Sequence, residues 1–394
     1  MNEIMEISTV NTSRFLDITQ HEIEALKTKH NLADAHTHQK QSITQRRIVA
    51  DLPNIWYESE NTTQRATEEK FIHKFFSLLN QHTALKNLNN IFLVYAASIA
   101  MQMVAIYLMR NKLSVSIVEP CFDNLHDIIK FQDVTRIPLP EHLLHNPDTI
   151  YDNLCATAVG DCLLLVDPNN PTGHSLLKHG TRGFEEVLRF CSDRNKLLIL
   201  DLTFAPFAVM DTDVGRFDLY ELLQRYDVSY ITMEDTGKTW PIQDAKASAL
   251  VVSSDIRDSL YNIHTSVLLN VSPFILNLLT RYFDDSAKDG FESVRGLLAH
   301  NRRYLVERLR DHELLEYVDP DVAVSVAWLQ IKQSSFTTAT ALQRKLADAD
   351  VYVLPGTYFY WNTPERGERF LRVALARDSE RFESSIDRML EILA

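Results

Sequence analysis

Glycine is scarce in this chain, at 10 of 394 residues, and none is arranged as the glycine-rich loop of a dinucleotide-binding turn. That argues against a Rossmann dehydrogenase. Cysteine is scarcer still: Cys121, Cys155, Cys162 and Cys191 are irregularly spaced and form no C-x-x-C, a pattern that suits neither a disulfide framework nor a zinc site. Basic runs and aromatic-interleaved basic patches are missing, and the net charge is −13. This weighs against nonspecific binding to nucleic acid or to an anionic membrane. The opening stretch MNEIMEISTVNTSRF has no charged segment followed by an apolar one, so no secretory signal is expected, and a reducing cytoplasm fits the cysteine usage. Long apolar runs are missing except for Ile91–Met109. It is long enough to cross a bilayer, but Ser98, Gln102 and the small residues at Ala96–Ser98 make it read as buried strand, tight turn and buried helix.

What is present is ordinary globular composition, 45% hydrophobic and 24% charged, in a chain long enough for two domains. Residues 1–50 are polar and mixed, with a helical pattern over Thr19–Lys29. Thr19 and Glu22 have the spacing of a capping box. His36 and His38 share a face of an extended segment, but two histidines without further ligands make no metal site. A second helical pattern, TTQRATEEKFIHKFFSLLNQH, follows with Asn61 or Thr62 as its cap. Strands are expected at Ile91–Val94, Ser114–Val118, Arg136–Pro138, Cys162–Val166, Lys196–Leu200, Val228–Met233 and Ser248–Val252. Helices fall between them at Ser98–Met109, Asp123–Phe131 and Gly183–Asp193. That alternation predicts an α/β fold with a largely parallel sheet and a ligand site beyond the strand carboxyl ends. The composition turns helical and charged after about Asp284. Strands at Val322–Gln330, Val351–Leu354 and Phe370–Ala374 and a helix at Glu380–Leu393 then predict a smaller α+β domain. The expected division is 1–50, 51–285 and 286–394.

Four features past the apolar runs carry candidate chemistry. Lys238 lies in VSYITMEDTGKTWPIQDAKASALVVSS, between two strands; it is either a solvated surface charge or a Schiff-base lysine whose pKa is lowered by low-dielectric walls. VDPNNPTG contains Asn170 in a strand-to-turn transition. Asp201 ends an apolar strand, where a carboxylate also serves as a cap. Arg372, in FLRVALAR, sits mid-strand, where an unpaired guanidinium is costly and an anion such as a substrate carboxylate would satisfy it.

In this order, with Lys246 eight residues after Lys238, these features resemble the fold-type-I pyridoxal-phosphate enzymes, the aspartate aminotransferase superfamily, over roughly residues 60–390. The resemblance implies a large domain with a mostly parallel mixed sheet between helices and a smaller C-terminal domain. It also implies pyridoxal 5′-phosphate bound by Lys238. Asp201 would pair with the pyridine nitrogen and keep the ring an electron sink, Asn170 and Thr203 would serve O3′, and Phe122 would stack on the ring. Ala97 and Ser98 at a helix start, with Lys246, would hold the phosphate. Arg372 would clamp the substrate carboxylate. Transaminases of this kind usually have serine three residues before the lysine and arginine eight after it; here these are Asp235 and Lys246. A carboxylate repels phosphate, so Asp235 is expected to point elsewhere, toward a cation. Phe204 stands where a tyrosine is often found.

The strings ADAHTHQ, LPNIWYES, EPCFDN, EDTGKTWPIQDAKA and LLNVSPFIL resemble a smaller family, the pyridoxal-phosphate- and O₂-dependent arginine oxidases. These enzymes act as arginine 4-hydroxylases or 4,5-desaturases in non-proteinogenic amino-acid (antibiotic) biosynthesis. The resemblance implies an N-terminal arm closing over the substrate, with Thr19, Glu22 and a catalytic His36 in the site. Asp34 and Asp235 would face the guanidinium of L-arginine. It also implies O₂ as co-substrate without metal or flavin, and a homodimer. The alternatives are an ordinary class I/II aminotransferase acting on a cationic amino acid, and a noncatalytic binding protein that keeps the fold.

Overall fold

The computed structural model describes residues 18–394, with side chains from residue 21 onward. Thr19 therefore lies on the first helix, Ile18–Ala25, with its side chain outside the described residues. The apolar runs form seven strands: β1 (Ile91–Val94), β2 (Val115–Glu119), β3 (Arg136–Pro140), β4 (Cys162–Val166), β5 (Leu197–Asp201), β6 (Tyr230–Asp235) and β7 (Ser248–Val252). They lie side by side in the order β1-β7-β6-β5-β4-β2-β3. Pairing is parallel except at β7, which is antiparallel to both β6 and β1. Every residue of β1, β2, β4, β5, β6 and β7 is buried. Burial on both faces is why these strands read as continuous apolar runs rather than as alternating ones.

The register brings chemistry to one edge. Val166, Asp201 and Met233 stand side by side, so the chain leaves β4, β5 and β6 on the same side of the sheet. The loop after β4 carries Asn170, β5 ends on Asp201, and the loop after β6 carries Lys238. A second, antiparallel sheet contains β8 (Leu315–Val318), β9 (Val326–Ile331), β10 (Leu354–Pro355) and β11 (Phe370–Ala374), in the order β10-β11-β9-β8. Arg372 is the middle residue of β11.

The Ile91–Met109 run resolves into β1 and the helix Ala97–Arg110; no described helix is long and apolar enough to cross a membrane. Several expected boundaries move for identifiable reasons. The helix Gln64–Leu78 is capped by Thr63, whose side chain accepts from the Ala66 amide, whereas Asn61 and Thr62 turn back onto the carbonyls of Tyr57 and Glu58. Two helices, Ile43–Ala50 and Leu52–Glu60, occupy a stretch whose mixed polarity shows no clear period. The first helix stops at Ala25 because His30–Asn31 pairs in parallel with Val351–Tyr352. Strand β9 begins at Val326 because Val322 instead donates its amide to the Gly173 carbonyl at 3.0 Å.

That last contact ties the Asn170 loop to the smaller sheet's side of the molecule. Gly173 has φ +73°, and a Cβ there would stand 2.4 Å from Pro320 Cβ and 3.0 Å from Val322 O. Gly173→Ala is expected to destabilise the protein by about 2 kcal/mol through backbone strain and overpacking, seen as a lower thermal midpoint. An unchanged midpoint would show that the loop does not need this approach.

Candidate active site

The loop bearing Lys238 is built by short-range bonds and by a glycine. Thr236 Oγ1 donates to the Ala247 carbonyl at 2.8 Å and accepts the Ala247 amide at 3.0 Å, pinning the two limbs together. Gly237 passes so close that a Cβ would lie 2.7 Å from Lys246 Cδ. Beyond Lys238, Trp240 is fully buried with its indole N–H on Ser286 Oγ at 2.9 Å, and its carbonyl accepts from Thr37 Oγ1 at 2.7 Å. The unusual K-T-W-P run thus anchors the lysine loop to the core and to the N-terminal segment at once.

Lys238 borders a cavity of about 260 Å³ beyond the strand ends. Among the described residues its amine has no hydrogen bond or ion pair. Desolvation lowers its pKa, and the carboxylates of Glu22, Asp34 and Asp235 only partly offset this. Asp201, Thr203, Asn170 and Phe122 line the same cavity, as do Ala97 and Ser98, Lys246 and Asp235, and Glu22 and His36 from the N-terminal segment. A larger cleft of about 660 Å³, near Met210 and Val306, shares none of these residues. Chemistry rather than size marks the site.

Three observations test whether pyridoxal phosphate fits. The buried Asp201 carboxylate accepts at Oδ1 from the Thr203 amide (2.9 Å) and hydroxyl (2.5 Å), while Oδ2 has no donor among the described residues. Burial raises its pKa, so a cationic ring N–H is the partner that would favour its ionised form. The helix Ala97–Arg110 starts after Ala96, which has no side chain to cap it, leaving first-turn amides and the exposed Ser98 open to a phosphate. Lys238 is a desolvated, unpartnered amine. The residues present fit the cofactor.

Arg372 is fully buried and already partnered. It donates to Glu22 Oε1 at 3.1 Å, to the Ala33 carbonyl and to Asn170 Oδ1 at 3.3 Å, its Cζ lies 5.2 Å from the Phe359 ring, and Nε remains without a partner. The anion that its burial demands is supplied here by Glu22. Glu22 therefore binds across the fold.

Two acidic residues have partners within the protein. Asp235 accepts from the Gly237 amide at 2.9 Å and from Ser248 Oγ, so it is turned to the loop backbone and a hydroxyl rather than to a cation of the protein. Each oxygen keeps a second lone pair, so Asp235 can still accept from the cavity side. Asp34 lies behind the cavity, 1% exposed, with both oxygens engaged by histidines: Oδ1 by the His36 amide (2.8 Å) and ring Nδ1 (2.5 Å), and Oδ2 by His38 Nε2. It does not line the cavity. Among the described residues no group of three or more His, Cys, Asp or Glu is disposed to hold a metal ion.

Arg377 is the residue that sequence reasoning missed. It is buried and donates to the carbonyls of Asn31 (2.8 Å), His36 (2.9 Å) and Asp34, clamping the N-terminal segment over the cavity. The signal was available: the buried-cation argument that singled out Arg372 applies equally five residues later, at the strand's exit.

Comparison with known proteins shows the family and the fold. Residues 57–389 match the family model described as aminotransferase class I and II. Aromatic-amino-acid aminotransferase 2 of Thermococcus litoralis is 26% identical over 237 residues, 59% of this chain and 57% of that protein. Aspartate aminotransferase of Pyrococcus abyssi is 25% identical over the same shares. The chain thus spans somewhat over half the length of these curated relatives. The structure of MppP soaked with the product 2-ketoarginine is similar with TM-score 0.83 and 29% identity, over 92% of this chain and 99% of that one. LysN, an α-aminoadipate aminotransferase from Thermus thermophilus, shares the fold at TM-score 0.74 and 13% identity, over 96% of this chain and 94% of that one.

With Lys238 as the amine that bonds the cofactor, Lys238→Ala is expected to abolish covalent retention. Protein reduced with borohydride after cofactor loading should carry no added mass, where the wild type carries it on the Lys238 peptide. Retained mass at another lysine would reject the assignment.

Proposed function

The chain belongs to the aminotransferase class I and II family, and on that premise we propose that it is a pyridoxal-phosphate- and O₂-dependent oxidase of L-arginine. The observation that carries this reading is the likeness to MppP across nearly the whole chain, a protein whose product is 2-ketoarginine. The acid lining supports it: Glu22 and Asp235 border the cavity beside Lys238, a disposition suited to a cationic side chain. The substrate carboxylate exchanges for Glu22 on Arg372, and the freed Glu22 and Asp235 then accept from the substrate's cationic groups.

Pyridoxal phosphate, when bound, supplies the electron sink for carbanions formed at and beyond Cα. Lys238, biased toward its neutral form by desolvation, takes the Cα proton and then serves the same role further along the chain. Asp201 holds the ring nitrogen protonated. Electrons pass to O₂ without metal or flavin. Arginine, two O₂ and one water give 4,5-dehydro-2-ketoarginine, ammonia and two hydrogen peroxide, and addition of a further water at Cγ, ordered by His36, gives 4-hydroxy-2-ketoarginine. The same reading has the chain working as a cytoplasmic homodimer in non-proteinogenic amino-acid biosynthesis. Residues 1–50 act as an arm over the site, and 51–285 and 286–394 form its large and small domains.

A second reading, an aminotransferase acting on a cationic amino acid, is favoured by the two curated relatives, both aminotransferases. An oxygen electrode separates the two. The oxidase consumes O₂ on addition of L-arginine with no keto acid present, whereas strict dependence on a keto acid would reject it. Asp235→Asn is expected to raise KM for arginine roughly tenfold, the scale of one charge-assisted hydrogen bond, and to leave KM for the uncharged analogue citrulline within about threefold. Equal losses for both would mean that Asp235 does not read the guanidinium.

A further inference from the structure

His36 is the cavity residue whose ring has two distinguishable faces, and the structure settles which atom faces which partner. Its Nδ1 is 2.5 Å from Asp34 Oδ1, and its own amide donates to the same oxygen at 2.8 Å. Its Nε2 is on the other side, 3.4 Å from Lys246 Nζ and 3.8 Å from Asp244 Oδ1. Asp34 is 1% exposed and is held from behind by His38 Nε2. The backbone on either side of it is clamped by Arg377, through the carbonyls of Asn31, Asp34 and His36. Burial alone would raise the Asp34 pKa, but the bonds from His36 and His38 and the charge of Arg377 outweigh it and hold the carboxyl well below the usual carboxylate range.

An ionised carboxylate only accepts hydrogen bonds. A ring nitrogen 2.5 Å from one must therefore carry the proton, which leaves the other nitrogen of the neutral ring as a bare acceptor. We propose that Asp34 is a positioning residue for His36: it selects the Nδ1–H tautomer and ring orientation, so that Nε2 faces the cavity as a proton acceptor. His38 and Arg377 hold Asp34 in place for this task. Asp34 is 1% exposed and does not line the cavity, which favours this role over direct contact with a substrate guanidinium. Among the described residues, the charged groups at the ring or on its cavity are Asp34 and His38 from its own segment, Glu22 from the first helix, Lys238, Asp244 and Lys246 from the loop before β7, and Arg377 beyond β11. A charged Lys246 donates rather than accepts, so its approach at 3.4 Å suits an unprotonated Nε2, whereas Asp244 Oδ1 at 3.8 Å favours a proton there. This inference rests on the proposed role of His36 in turnover for its kinetic consequence, but not for the tautomer.

The test uses the cofactor-loaded full chain with ¹⁵N-labelled histidine. Long-range ¹H–¹⁵N spectra of the neutral His36 ring are expected to show protonated Nδ1 and bare Nε2, and Asp34→Asn is expected to abolish that preference. A wild-type ring with protonated Nε2, or a tautomer unchanged in Asp34→Asn, overturns the proposal. In kinetics, Asp34→Asn is expected to lower kcat for forming 4-hydroxy-2-ketoarginine from L-arginine by roughly 10²–10³-fold, the range of general-base contributions and of lost tautomer control. KM should stay within about threefold, and adding His36→Ala should cost nothing further. A raised KM for arginine with kcat intact, and no change for citrulline, would return Asp34 to guanidinium recognition and overturn the proposal. Should Asp34→Asn fail to fold, the wild-type spectrum and the milder His38→Gln, expected to keep the Nδ1–H tautomer while lowering kcat less than Asp34→Asn, still decide it. Absence of any arginine turnover in the wild type would defeat the oxidase reading while leaving the spectroscopic result to stand or fall alone.

Discussion

Two buried guanidinium groups, Arg372 in β11 and Arg377 just past its end, hold the N-terminal segment across the cavity. Burying a charge costs several kcal/mol unless it is paired and hydrogen-bonded, and both arginines meet that cost on the same stretch of chain. Arg372 takes Glu22 and the Ala33 carbonyl, and Arg377 takes the carbonyls of Asn31, Asp34 and His36. Removing either arginine would strand carbonyls and carboxylates in a dry interior, and removing the segment would strand two cations. The site's upper half therefore follows from a charge balance rather than from apolar packing alone.

The lower half follows from the sheet. Strands buried on both faces end in register, and the loops leaving β4, β5 and β6 carry Asn170, Asp201 and Lys238 to one edge. The Trp240 and Pro241 carbonyls accept from Thr37 and Gln41, so the lysine loop and the N-terminal segment brace one another. Asn170 closes the circuit by accepting from Arg372. Lys238 is thus a desolvated amine between a carboxylate short of one donor and an arm rich in titratable groups. This arrangement suits proton movement at a substrate carbon next to an electron sink.

Much of the lower half was legible in the sequence because its causes are local. The strands at Ile91–Val94, Cys162–Val166, Ser248–Val252 and Phe370–Ala374 stand where their apolar runs lie, and the placement of Lys238, Asp201 and Asn170 past strand ends follows from the same pattern. The upper half was legible only as a list of polar residues. The bonds from Arg372 and Arg377 to the arm span more than 330 positions and end on backbone carbonyls, which leave no mark in side-chain identity. Asp34, which the resemblance to arginine oxidases implies as facing a guanidinium, bonds two histidines in the fold for that reason. The helices at Ile43–Ala50 and Leu52–Glu60 escaped for a related reason: few of their residues are buried, so no apolar period announces them.

The central claim is that arginine surrenders its amino group to water and its electrons to O₂. The fate of the nitrogen tests it most directly. With L-arginine carrying ¹⁵N at the α-position, in aerated buffer containing a keto acid such as 2-oxoglutarate, the account predicts that the label appears as ammonium at a rate indifferent to the keto acid. Label recovered in the amino acid formed from that keto acid, with no labelled ammonium, would contradict it.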